Sequence, residues 1–179
     1  MGVLFVLLFI SVADAFLSLH SYTQCIRQLR VGDVITIKGH VIAGARQWKC
    51  SIAEHGMNNS IIHADHRIST GRGNPCTVLN ASSGSDWETE EVKSGSVPFI
   101  AGPFEMSFRI LEEWMVEVYY KNASWAGTTY KRNETVPLST ARQVECHGDV
   151  LDVSFHGVRM TGKVEPVDSR DDCLKLSRG

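Results

Sequence analysis

The chain lacks a charge excess of either sign. Its 18 Lys and Arg stand against 20 Asp and Glu, a formal net charge of −2. Without a basic surplus there is no electrostatic footprint for nucleic acid or for an anionic membrane surface. No stretch after residue 15 has the run of about 20 apolar residues that a transmembrane helix needs. No amphipathic pattern at helical spacing is long enough to found a helical domain. None of the cysteine spacings resembles a zinc site. Internal repeats and low-complexity tracts are missing too. What is left is a chain of 179 residues, enough for one well-cored domain with tails.

Val3 to Val12 is apolar except for Ser11, and Ala13-Asp14-Ala15 follows as a small-x-small cleavage signature. The run is too short to span a bilayer, so residues 1–15 read as a secretory signal peptide. The other reading is an N-terminal core element. Export makes the mature chain secreted, extracellular and not membrane-inserted. Residues 16–27 form an N-terminal arm. Beyond them, β signals run almost without pause. Val34-Ile35-Thr36-Ile37-Lys38 is β-branched and ends at Gly39. Trp48, Cys50 and Ile52 alternate with polar residues. So do Phe104, Met106, Phe108 and Ile110, then Trp114, Val116, Val118 and Tyr120, then Leu151, Val153 and Phe155. Short period-2 runs separated by Gly, Pro, Asn and Ser clusters predict an all-β antiparallel sandwich. The pattern fades after Val158, and residues 159–179 read as a polar C-terminal tail.

The chemistry-bearing stretch is His63-Ala64-Asp65-His66-Arg67, with Asn80, Trp87 and Glu90 after it. On a strand, His63, Asp65 and Arg67 share one face, and His66 points to the other. Trp87 lies among Ser83, Gly84, Ser85, Asp86 and Glu88, which favours an exposed plate over a core position. An aromatic plate beside mixed donors and acceptors suits a sugar, whose C–H face stacks while its hydroxyls donate and accept.

These residues resemble the galectin family. The family pattern H-x-N-x-R, V-x-N and W-x-x-E-x-R is met by His63-Ala64-Asp65-His66-Arg67, Val78-Leu79-Asn80 and Trp87-Glu88-Thr89-Glu90-Glu91-Val92. Val31-Gly32-Asp33 is similar to the family's opening turn. Pro98 to Phe104 is similar to its P-F-x-x-G-x-x-F turn, one residue short, and Gly148-Asp149 to its late G-D. The likeness covers about residues 28–158. It implies a two-sheet jelly-roll sandwich of the galectin and concanavalin kind. It implies a β-galactoside site on the concave sheet, built from His63, Asp65, Arg67, Asn80, Trp87 and Glu90, with no bond chemistry and no cofactor. The partners would be β-galactoside glycans or glycoproteins, and a homodimer is possible. A signal peptide departs from most of the family. Asp65 replaces an Asn that both donates and accepts, Val92 replaces a second Arg, and Gly71 replaces a further His. A lost charge-assisted hydrogen bond is worth about 1.5–3 kcal/mol. Losing two weakens binding by roughly two to four powers of ten. The expected lectin is therefore weak or altered in specificity. The alternative is a galectin-like protein-interaction domain that no longer binds sugar.

Two further readings carry less weight. Glu88 and Glu90, on one side of a strand, would make a glycosidase-like carboxylate pair. His63, Asp65 and His66 offer metal-ligand types, but the two histidines should face opposite ways.

The five cysteines are Cys25, Cys50, Cys76, Cys146 and Cys173, so at least one is free or joins another chain. Cys50, on an apolar strand face, reads as a buried thiol. The resemblance places the first and last strands side by side, which makes Cys25–Cys173 the expected pair. The alternative is an intermolecular bond through Cys173. Sequons stand at Asn58, Asn80, Asn122 and Asn133, and a glycan on Asn80 would block the expected groove.

Overall fold

A computed structural model describes residues 20–54, 59–69, 74–84, 86–94, 97–123, 127–132, 136–157 and 165–166. The expected signal peptide lies outside these residues. Along the described chain run β1 (His20–Cys25), β2 (Val34–Val41), β3 (Gln47–Ala53), β4 (Asn59–Arg67), β5 (Cys76–Ser83), β6 (Asp86–Trp87) and β7 (Glu91–Ser94). Then come β8 (Gly102–Glu112), β9 (Met115–Tyr120), β10 (Gly127–Lys131), a short 3-10 turn at Leu138–Thr140, β11 (Gln143–Gly148), β12 (Val150–Gly157) and β13 (Glu165–Pro166). All pairings are antiparallel.

Two sheets result. One runs β13-β1-β11-β3-β4-β5-β6, with β7 also on β5; the other runs β10-β9-β8-β2-β12. The core lies between them. Trp48, Cys50 and Ile52 from β3 meet Ile35, Ile37, Met106, Phe108 and Val118 in one buried cluster. The alternations of β3, β8 and β9 thus point inward as their spacing predicts. In β12 the phase differs. Asp152 adopts φ 52° and the register shifts between Leu151 and Ser154. This bulge turns Leu151 off the core face, and Val150 is buried instead, alongside Val153 and Phe155.

Gly39 is fixed by packing. A Cβ there would sit 2.7 Å from the Phe104 ring on the neighbouring strand. The turn into β2 needs Gly32 at φ +88°, while the Asp33 carboxylate accepts the Arg30 backbone N–H at 2.8 Å.

The arm read as 16–27 contains a strand. β1 pairs with β11 along its whole length, and Glu165–Pro166 of the expected tail pairs with β1. Polar His-Ser-Tyr-Thr-Gln hides β1, because it lacks an apolar alternation.

The cysteine reading also needs correction. Cys50 is not a thiol. It faces Cys146 directly across β3 and β11, with Cα atoms 4.1 Å apart, and the two form a disulfide. Their separation of 96 residues conceals the pairing from sequence. Cys25 is also disulfide-bonded, to a partner outside the described residues, where Cys173 lies. Cys76 is the free cysteine among those described. A Cys50→Ala/Cys146→Ala variant is expected to lose about 2–5 kcal/mol of stability, read as a lower urea midpoint. An unchanged midpoint would show that the bond contributes nothing.

Candidate functional site

The outer face of the larger sheet is polar because residues there alternate with the core set. His63 pairs in register with Ser51 on β3 and Asn80 on β5; Asp65 pairs with Lys49, and Arg67 with Gln47. Across β11, Ser51 faces Glu145 and Lys49 faces His147. Period 2 on four adjacent strands thus builds one polar surface.

Arg67 is held between two carboxylates. Its Nε donates to Asp65 Oδ2 at 2.8 Å, and a terminal nitrogen donates to Glu90 Oε1 at 3.1 Å. These contacts raise its pKa against the opposing effect of burial. Asp65 is buried, and Gln47 Nε2 donates to its other oxygen at 2.7 Å. Both Asp65 oxygens therefore serve the protein. The carboxylate expected to meet a sugar hydroxyl instead orients Arg67. Arg67 is the one basic group bonded to Glu90 among the described residues, and Val92, where the family has its second Arg, is exposed. Gly71 lies outside the described residues.

His63 is neutral at pH 7. Burial outweighs the pull of Asp65 and lowers its pKa to about 4. Its Nδ1 lies 2.7 Å from Ser51 Oγ, and Nε2 makes no hydrogen bond among the described residues. Trp87 is 55% exposed, as its polar neighbours predict, and its ring centroid lies 5.2 Å from that of His63. Asn80 is 4% exposed, with Oδ1 enclosed and without a partner among the described residues, so Nδ2 is the end able to meet a ligand. A glycan on Asn80 would be attached through this same Nδ2 and would obstruct the site. Asn122 is exposed in a turn at φ 59°, and Asn58 and Asn133 lie outside the described residues.

A cavity of about 340 Å³ opens beside His63 and Trp87. It extends away from Arg67, toward Lys49, Ser51, Glu145 and His147. Glu145 is buried; Gln143 donates to one of its oxygens, and His147 Nε2 lies 2.6 Å from the other. His147 Nδ1 reaches Ser21 Oγ at 2.7 Å. The sequence reading missed this group. Its signal was the alternation Gln143, Glu145, His147, which is polar on one face and apolar on the other.

His66 belongs to the core. It stacks on Trp48 at 3.7 Å and 2°, and Nε2 lies 2.8 Å from Tyr120 Oη. Nδ1 lies 3.3 Å from the Trp48 carbonyl, which can only accept, so Nδ1 carries the proton and Nε2 accepts from Tyr120. With His63 and His66 on opposite faces, the metal reading fails; among the described residues no group of three or more His, Cys, Asp or Glu could hold an ion. The carboxylate pair fails as well. Glu88 and Glu90 lie between β6 and β7, and Glu88 accepts from Tyr130 at 3.0 Å while Glu90 takes Arg67.

A two-sheet sandwich here presents an exposed tryptophan beside an array of donors and acceptors, an arrangement able to hold a sugar. The chain belongs to the galectin family: residues 20–155 match the family described as galactoside-binding lectin, whose members bind carbohydrate without catalysis. The fold is similar to that of Xenopus laevis galectin-Ib, with TM-score 0.62 and 17% identity over 75% of this chain and 98% of that one. It is similar to a toad ovary galectin in complex with thio-digalactose, with TM-score 0.63 and 12% identity over 76% and 98%. CG-16, a homodimeric agglutinin from chicken liver, gives TM-score 0.60 and 17% identity over 75% and 99%. No curated protein matches the sequence.

Proposed function

We propose that this is a secreted lectin that binds a β-galactoside glycan on the outer face of the larger sheet, with reduced affinity for a simple disaccharide. The observation that carries the reading is the exposed Trp87 plate set against neutral His63 and the Glu90-held Arg67. The C–H face of the sugar stacks on Trp87. Its hydroxyls meet His63 Nε2, the remaining Arg67 donors, Asn80 Nδ2 and Glu90. Asp65 acts beneath them by aiming Arg67. A second sugar extending the glycan would enter the cavity toward Lys49 and Glu145, a space at the low end of small-molecule sites. Export would bring the chain to the glycosylation machinery, where Asn122 is an exposed sequon.

A specific observation favours the second reading, a protein-docking domain without sugar affinity. Arg67 is neutralised by two carboxylates, and an exposed valine replaces the family's other cation.

The test is retention of the exported protein on immobilised lactose with elution by free lactose. Specific elution is expected. Glu90→Ala should weaken binding roughly ten- to hundredfold, because it removes one charge-assisted sugar contact and frees Arg67. No retention of a correctly folded chain with Asn80 unmodified would transfer the case to the docking reading.

A further inference from the structure

Trp87 stands on a two-residue strand bonded to the end of β5, so its own ladder holds it weakly. The residue after it is fastened twice, to β5 and to the opposite sheet. Glu88 N–H donates to the Ala81 carbonyl at 2.8 Å, and Glu88 Oε2 accepts from the Tyr130 hydroxyl at 3.0 Å. Tyr130 belongs to β10, the outermost strand of the opposite sheet, and is 4% exposed. Burial and the Glu88 charge both raise its pKa, so it keeps its proton and donates. Two residues on, Arg132 is 2% exposed, and its Nε and Nη1 have no hydrogen-bond partner among the described residues. Its Nη2 donates to the Val136 carbonyl, and its guanidinium lies 5.4 Å from the Trp114 ring centroid. Glu88 and Glu113 attract this buried cation. A guanidinium with two idle donors in a dry setting favours every nearby carboxylate that stays in place.

We propose that Tyr130 and Glu88 form a latch between the two sheets that positions Trp87 for the sugar, with Arg132 as the buried countercharge. The latch rests on the reading of Trp87 as the stacking plate. Tyr130 and Glu88 are positioning residues and touch no ligand. Glu88 sits where the side chain after the plate can reach across the sandwich, so a contact on the far sheet sets the tilt of a ring on the near one.

The test uses the full exported chain labelled with 5-fluorotryptophan, Trp87→Phe identifying the Trp87 resonance. In Tyr130→Phe and Glu88→Ala the Trp87 fluorine signal is expected to move and broaden while that of Trp48 stays. Each variant should raise the lactose Kd about tenfold. Glu88→Gln, whose carbonyl still accepts from Tyr130 but no longer faces Arg132 with a charge, should fall between the parent and Glu88→Ala. The double variant Tyr130→Phe/Glu88→Ala should be no weaker than Glu88→Ala alone, because Tyr130→Phe removes a contact that Glu88→Ala has already removed. An unmoved Trp87 signal in Tyr130→Phe overturns the latch, as does equal disturbance at Trp48 or additive losses. If the parent binds no lactose, the proposed function fails, and the fluorine signals still decide the latch.

Discussion

Trp87→Ala is expected to emerge unretained from a lactose column on which the parent is held. The ring is more than half exposed and makes one aromatic contact, with His63, so its loss opens no core cavity. Stability should stay within about 0.5 kcal/mol, as for surface substitutions away from special features. Binding should fall much further. An aromatic plate contributes roughly 1–3 kcal/mol by truncation in comparable ring-stacking sites, or about ten- to hundredfold in Kd. The departures at Asp65 and Val92 already leave the site weak, so that loss takes it below retention. Both quantities are measurable on one preparation, by denaturant titration and by column retardation. Retention by a folded Trp87→Ala chain would remove stacking from the account.

The second large effect is acid sensitivity. Burial lowers His66 to about 3 and His63 to about 4. In the unfolded chain both take up a proton near pH 6.5. Between these values the unfolded state binds more protons, so stability rises with pH there and is lost as pH falls below about 6.5. For fully buried His66, two pH units of that window amount to about 3 kcal/mol, a large share of a typical domain's stability. His63 adds to the same trend. His66→Phe, which keeps the stack on Trp48 and cannot titrate, should be less stable at pH 7, since the hydrogen bond between Tyr120 and His66 Nε2 is lost. Its stability should fall less steeply between pH 6.5 and 4.5, by about the same 3 kcal/mol. Parallel pH profiles for the two proteins would show that His66 does not carry the dependence.

These two histidines show what could be read from sequence and what could not. Alternate spacing placed His63, Asp65 and Arg67 on one face and His66 on the other, and that much is backbone geometry. The role of His66 was invisible, because its partners Trp48 and Tyr120 lie 18 and 54 residues away. The same distance hid the Cys50–Cys146 bond and the Glu88–Tyr130 contact. Apolar alternation announced β3, β8 and β9. It failed for β1, whose residues are polar, and in β12 it misplaced only Leu151, where a bulge at Asp152 shifts the phase. Buried charges hid β11: Glu145 looks solvated in sequence and is enclosed by Gln143 and His147 in the sheet.

β11 lies between β1 and β3, yet it is almost the last strand to be made. A ribosome releases β3, β4 and β5 as a continuous meander long before Gln143 emerges. Until then β1 has no neighbour at all, and one side of β3 shows bare backbone amides and carbonyls. The slot closes only when a segment from the far end of the chain threads in and pairs with both at once. Such non-local closure is slow. During that interval the nascent protein carries an open template for strand addition, with Cys50 waiting as a thiol at its inner face. Crowding by other unfinished copies is the hazard of this topology, and an early oxidation of Cys50 by a wrong partner would lock it in.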